Sequence, residues 1–374
     1  MCAATDRPTA NRDSALDGLR GIAIALVLWH HLVATYLPLG RGSWLGWLRA
    51  GTGLAWCGVD LFFVLSGFFI GGILIDRRDS PRLARVFYVR RAVRILPLYY
   101  VTLAAVLLTI AAGMPGAYHE FAPWVYATFL TNFALAGTQT WDWLPLSVLW
   151  SLAIEEQFYI TAPWVVRAIP PSRLPWFAAG LALAAWVARS ILLLRFPSGY
   201  FGAHVLMPLR MDGLALGALV AWAVRHDAAR PFFARLAQTW PRVLALGLAA
   251  IAGLSLLRPA DGSPLLCLAG YTLLAVVFAL VVAVVAGVRP PALNALLATR
   301  PLAHLGRHSY FVYLWHALIG TGIIRALGGA DFCVNSPVAL GVVALATAAT
   351  WGAATVSWKF FEGPFVAWGQ RLRY

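Results

Sequence analysis

Leu16-Asp17-Gly18-Leu19-Arg20-Gly21-Ile22-Ala23-Ile24-Ala25-Leu26-Val27-Leu28-Trp29-His30-His31 opens an apolar run, 16–37, long enough to cross a bilayer, yet it carries a fixed cation and an imidazole. Arg20 and His31 are eleven residues apart, roughly 16 Å of rise and about 1100° of rotation on an α-helix, so they lie nearly in line on one face. His30 points about 100° away from that face. An ionisable group inside a bilayer costs on the order of 2.5–3.5 kcal/mol or more, so an aligned pair reads as a functional site. The plainer reading has Arg20 snorkelling to the interface and His31 packed between helices.

The rest of the chain extends this pattern. Of 374 residues, 61% are hydrophobic and only 12% charged, a balance that excludes an ordinary soluble domain and predicts an all-α, polytopic membrane bundle over residues 1–374 with no fused soluble domain. Residues 1–15 are polar and the first apolar run has no small-residue cleavage site, so no signal peptide is expected. The cysteines, Cys2, Cys57, Cys267 and Cys333, are scattered without CxxC or His-rich partners, which predicts neither a metal site nor a disulfide framework. A net charge of +14 would suggest nucleic acid in a soluble protein; here the basic residues fall in short loops, where orientation and anionic lipid account for them.

Apolar runs fall at 16–37, 54–76, 95–113, 146–166, 176–195, 205–223, 242–257, 265–287, 303–325 and 337–359, ten expected spans. A shorter stretch, 122–137, is ambiguous. If it does not cross, 20 basic residues fall on the side of both termini, against Arg41, Arg49, Arg195, Arg258 and Arg325 opposite. The positive-inside rule then puts both termini in the cytoplasm and makes 122–137 re-entrant or interfacial.

Several polar groups interrupt the spans. In Gly58-Val59-Asp60-Leu61 the carboxylate needs a partner or serves as a helix cap, and Ser66-Gly67 reads as a close-packing pair. Arg90, Arg91 and Arg94, in the loop reading Phe87 to Pro97, form a patch suited to bidentate phosphate binding, the alternative being plain orientation charge. Trp150-Ser151-Leu152-Ala153-Ile154-Glu155-Glu156-Gln157 puts two carboxylates inside a span, with Glu155 at a depth similar to that of His31. A carboxylate beside an imidazole fixes its tautomer, as needed when His takes a proton from a hydroxyl; alternatively either Glu pairs with Arg210. Arg210 and Asp212 read as answering each other's charge. Ser309, Tyr313 and His316 share one face, lining a cavity or meeting a neighbouring helix, and Phe360-Phe361-Glu362-Gly363-Pro364 reads as an interfacial stop.

Together these segments resemble the membrane-bound acyltransferase 3 family, integral membrane O-acyltransferases of glycans, lipopolysaccharide, Nod factors and macrolides. The resemblance rests on LDGLRGIA with Arg-x10-His, GVDLFFVLSGFFI at 58–70, RRAVRILPLYY at 90–100, WSLAIEEQFY at 150–159, RMDGLALGA at 210–218, GRHSYFVYLWH at 306–316 and FFEGP at 360–364. It implies an enzyme of about ten core spans that moves an acyl group, an acetyl group in the simplest case, from cytoplasmic acyl-CoA to a hydroxyl of a carbohydrate or glycosylated acceptor. Acyl-CoA would be a co-substrate, with no bound cofactor and no metal. The resemblance puts the catalytic base on His31 with Glu155 orienting it, and CoA phosphates on Arg20, Arg90, Arg91 and Arg94. A covalent acyl-histidine route fits the same residues. The acceptor would be a glycan, a lipid-linked sugar or a glycosylated small molecule, and any extracytoplasmic second transfer would need a separate transferase. A second histidine at position 30 departs from the pattern. An N-acyltransferase on an amino sugar and a non-enzymatic transporter or lipid-binding protein are the competing readings.

Overall fold

A computed structural model describes residues 13–38, 43–196, 199–257 and 263–374; Cys2, Arg7, Arg12, Arg41 and Arg258, which enter the cysteine and charge readings above, lie outside them. Every regular element among the described residues is helical. Nine helical stretches among the described residues are long and apolar enough to cross a bilayer. The carrying helices are α1 (Ser14–Leu28), α2 (Gly58–Asp76), α3 (Leu83–Ala111), α4 (Leu149–Ala168), α5 (Leu174–Arg195), α6 (Met207–Ala223), α7 (Arg230–Leu256), α8 (Tyr271–Ala283), α9 (Ser309–Trp315) and α10 (Pro337–Ser357). Nine of the ten belong to those stretches; α4 has the length, 20 residues, but carries Glu155, Glu156 and Gln157 in its middle.

The ambiguous stretch folds as two short helices, Pro123–Ala127 and Thr131–Thr138, too short to span and separated by Phe129 in a left-handed conformation (φ 57°). Polar contacts tie it to the bundle. The Tyr99 hydroxyl donates to Tyr126 O at 2.6 Å, and the Gln157 and Asn132 amides bond reciprocally at 3.0 and 3.2 Å. Asp142 accepts from the Glu120 and Trp143 amides and from the Tyr126 hydroxyl.

Asp13 caps α1 by accepting from the Ala15 and Leu16 amides at 3.1 and 3.4 Å, and from there α1 runs against α2, α9 and the short helix Arg300–Arg307. Helix α2 is apolar on all sides because it is the buried centre of the bundle, touching α1, α4, α6 and α8. Its closest partner is α6. Gly67 lies directly over the Leu214 carbonyl and Gly217 over that of Val64, so a side chain at either position would force the helices apart.

Three sequence expectations change. The arginine run 87–97 is not a loop but part of α3, which starts at Leu83 and continues through Pro97. The span expected from 303 starts at Ser309, because Arg300–Arg307 is a separate helix with one strongly polar face. Glu362 is buried in a π-turn, Trp358–Glu362, where it accepts from Ser357 Oγ at 2.9 Å, and is therefore a packed carboxylate rather than an interfacial stop.

Candidate active site

The chain leaves α-geometry at His30, His31 and His316. Trp29–Val33 after α1 and His316–Gly320 after α9 are both π-helical turns, and they face each other. Single π-turns inside helices concentrate at functional sites. Here they bring His31 and His316 together: His316 Nε2 lies 3.1 Å from His31 Nδ1.

Carbonyl oxygens assign the protons in this pair. His316 Nδ1 lies 2.7 Å from Tyr313 O and 3.2 Å from Val312 O, and a carbonyl only accepts, so His316 carries its proton on Nδ1 and presents Nε2 as an acceptor. His31 Nδ1 is 3.2 Å from Val27 O and 3.1 Å from that acceptor, so it too must donate. In neutral His31 the remaining nitrogen, Nε2, then carries a lone pair. His30, its ring edge-on to His31 at 4.8 Å between centroids, has a buried Nδ1 without a hydrogen-bond partner and so lacks any comparable orientation.

A cleft of about 820 Å³, counting its open mouth, reaches Tyr313 beside this pair but is lined by neither His31 nor His316. Arg20, Arg91, Arg94, Glu155, Glu156, Tyr159, Ser66, Ser309 and Tyr313 line it. The Arg20 guanidinium lies over the Phe69 ring, 4.2 Å from its centroid, and that of Arg91 flanks the Tyr159 ring at 5.8 Å. Glu155 accepts from the Tyr159 hydroxyl and, at 3.3 Å, from Ser66 Oγ; Ser66 and Tyr159 themselves lie 2.6 Å apart. Tyr313 joins cleft and histidines. Its hydroxyl is 2.5 Å from Ser151 Oγ and donates to Val148 O at 3.0 Å, while its own carbonyl holds His316.

The structure therefore brings Arg20, Arg91, Arg94 and Glu155 into one cleft and gives His31 a different orienting group from the one expected. His316 supplies the hydrogen bond to the His31 ring, and the hydrogen bonds of Glu155 go to Tyr159 and Ser66. Arg90 does not line the cleft: it donates to the carbonyls of Gln370, at 3.3 Å, and Leu372, and lies under the Tyr374 ring. Ser66, read from the sequence as a packing residue, is a polar cleft residue beside the glycine that does pack. The stripe Ser309, Tyr313 and His316 divides, the first two lining the cleft and the third meeting His31.

The other intramembrane charges pair between helices. Arg210 Nη2 is 2.6 Å from Asp60 Oδ1, and Arg189 Nη2 is 2.6 Å from Asp212 Oδ2. Arg210 and Asp212 do not answer each other, because residues two apart on a helix point to different sides. With Asp60 on Arg210, neither Glu155 nor Glu156 is its counter-ion.

Comparison with known proteins adds an independent line. The profile of the acyltransferase domain family matches residues 13–358. A peptidoglycan O-acetyltransferase of Listeria monocytogenes, OatA, is 29% identical over 94% of this chain and 55% of its own length. A protein of Bacillus subtilis provisionally named peptidoglycan O-acetyltransferase, YrhL, is 30% identical over 80% of this chain and 47% of its own, and a Staphylococcus aureus protein provisionally named O-acetyltransferase is 26% identical over 94% and 56%. The chain thus spans about half the length of the curated relatives it matches. No solved structure matches.

Proposed function

The chain belongs to the acyltransferase domain family, and on that premise we propose that it is an integral membrane O-acetyltransferase whose donor is cytoplasmic acyl-CoA and whose acceptor is a hydroxyl of an envelope glycan or glycosylated molecule. The observation that carries this reading is the hydrogen-bond chain from Tyr313, which lines the arginine-bearing cleft, through His316 to His31, a chain that leaves His31 Nε2 as an oriented lone pair. Peptidoglycan, named for the Listeria relative, is the first acceptor to try.

Arg20, Arg91 and Arg94 hold the CoA phosphates at the mouth of the cleft through bidentate hydrogen bonds, and the thioester extends past Glu155 and Tyr159 toward Tyr313. His31 Nε2 takes the proton of the acceptor hydroxyl as its oxygen bonds to the thioester carbon. The C–S bond breaks, and the imidazolium returns the proton to the departing thiolate. His316 accepts from His31 Nδ1–H and stabilises the imidazolium through its neutral Nε2, the role assigned from sequence to Glu155. Glu155, held by Tyr159 and Ser66, supplies negative charge opposite Arg20 and Arg91.

The test is acetyl-CoA turnover by the purified protein in nanodiscs, with muropeptide acceptors and ester detection by mass spectrometry. Acetyl-CoA-dependent ester on the acceptor supports the reading. An amide on an amino sugar would make the protein an N-acyltransferase, and absence of any turnover by folded protein would reject the enzyme.

A further inference from the structure

Glu156 is the one member of the Glu155-Glu156-Gln157 triple whose hydrogen-bonding capacity is left unmet. Glu155 is satisfied by Tyr159 and Ser66, and Gln157 by Asn132 and Phe129 O. Glu156 lines the cleft, yet its Oε1 is buried and has no hydrogen-bond partner. The nearby phenols cannot supply one: the Tyr99 hydroxyl donates to Tyr126 O and that of Tyr310 to Ile95 O. A buried carboxylate oxygen left unpaired costs about 1–3 kcal/mol or more, so its persistence in an otherwise well-bonded cleft points to a donor that arrives with a ligand.

Resting on the donor reading above, we propose that Glu156 accepts a hydrogen bond from an amide N–H of the pantetheine arm of acyl-CoA. Arg20 on α1 and the base His31 on the π-turn that continues it are separated by roughly 16 Å of helical rise. The arm between the phosphates and the sulfur has about four residue-lengths of extended chain, roughly 14 Å, and carries two amide N–H groups along the way. Glu156 shares the cleft lining with Arg20, Arg91 and Arg94 and with Tyr313, whose carbonyl holds His316. It therefore reads the arm, while the arginines read the phosphates.

The experiment measures binding of CoA and of adenosine 3′,5′-bisphosphate, which lacks the arm, to the nanodisc-embedded protein by calorimetry. Glu156→Leu, close in volume but without an acceptor, should weaken CoA binding about tenfold and leave the bisphosphate unchanged; Glu156→Gln, which keeps a carbonyl oxygen, should recover most of the loss. Arg91→Gln should weaken both ligands. Equal weakening of both ligands by Glu156→Leu, or no weakening of CoA, overturns the assignment while leaving the donor reading intact. Failure of wild-type protein to bind either ligand overturns the donor reading and the assignment with it.

Discussion

A histidine can act as a base only if one nitrogen is held and the other is open, and His31 meets this condition through His316 and Val27 rather than through a carboxylate. Replacing His31 with Ala should lower kcat by about 10²–10⁴-fold, the usual cost of a missing general base. His30→Ala should retain activity, since the His30 ring is not oriented by hydrogen bonds. His316→Ala should lower kcat on the order of 10²-fold, as misplacement of a catalytic group does, without raising KM for acyl-CoA, and His316→Gln, which keeps an acceptor for His31, should restore part of it. A rise in KM alone for the His316 variant would reduce it to a packing residue. The Arg-x10-His spacing was legible in the sequence as a pattern, although α1 ends at Leu28 and His31 falls on the π-turn that follows, where the 100° per residue used to align the pair no longer holds. The His31–His316 contact was not legible: its partners are 285 residues apart, and it depends on two π-turns that a 3.6-residue period does not reveal. Arg90 was likewise indistinguishable from Arg91 until the segment 370–374 showed which way it turns. Arg91→Gln combined with Arg94→Gln should therefore raise KM for acyl-CoA more than Arg90→Gln does.

At the level of elements, α2 packs closely on α6 through Gly67 and Gly217 while presenting Ser66 to Glu155 and Tyr159 of α4. Gly217→Val puts a branched side chain against the Val64 carbonyl and should destabilise the protein by about 1–3 kcal/mol or more, read as a lower thermal midpoint in detergent. Residues 118–142 give a second element-scale prediction, in pH. Burial holds the Asp142 carboxyl above the usual carboxylate range despite its three hydrogen-bond donors. The folded segment then binds its proton more tightly than an unfolded one, so its stability is greatest below the ordinary Asp pKa and falls as pH rises through the raised value. Hydrogen exchange of this segment should show protection decreasing across that interval after correction for intrinsic rates, and Asp142→Asn should abolish the dependence. Charge parity predicts that 122–137 does not cross, in keeping with its two short helices, whereas its attachment through Tyr99, Asn132 and Gln157 could not be read from the sequence, because those contacts join three separate stretches of chain. The helical start of α3 was missed for a related reason: the seven arginines of residues 77–94 mask a helix whose other faces pack on α4 and the C-terminal segment.

Over the whole molecule, nine of the ten expected spans pass on length and composition among the described residues, and α4 is missed because Glu155, Glu156 and Gln157 interrupt it. The asymmetry of 20 basic residues against five predicts that reporter fusions after residues 90, 235 and 374 all read cytoplasmic, whereas an extracytoplasmic signal at 235 and 374 would mean that 122–137 crosses. With that orientation the arginine cleft would open to the cytoplasm, as the proposed acyl-CoA donor requires, and His31 would lie deeper in the membrane. The most direct test of the account is labelled acetyl-CoA added outside sealed membrane vesicles, with acyl transfer to glycan followed in both vesicle orientations and in the His31→Ala variant. Transfer should occur with inside-out vesicles bearing the wild-type chain and be absent both from right-side-out vesicles and from the variant; equal labelling in the two orientations, or undiminished labelling by His31→Ala, would contradict it.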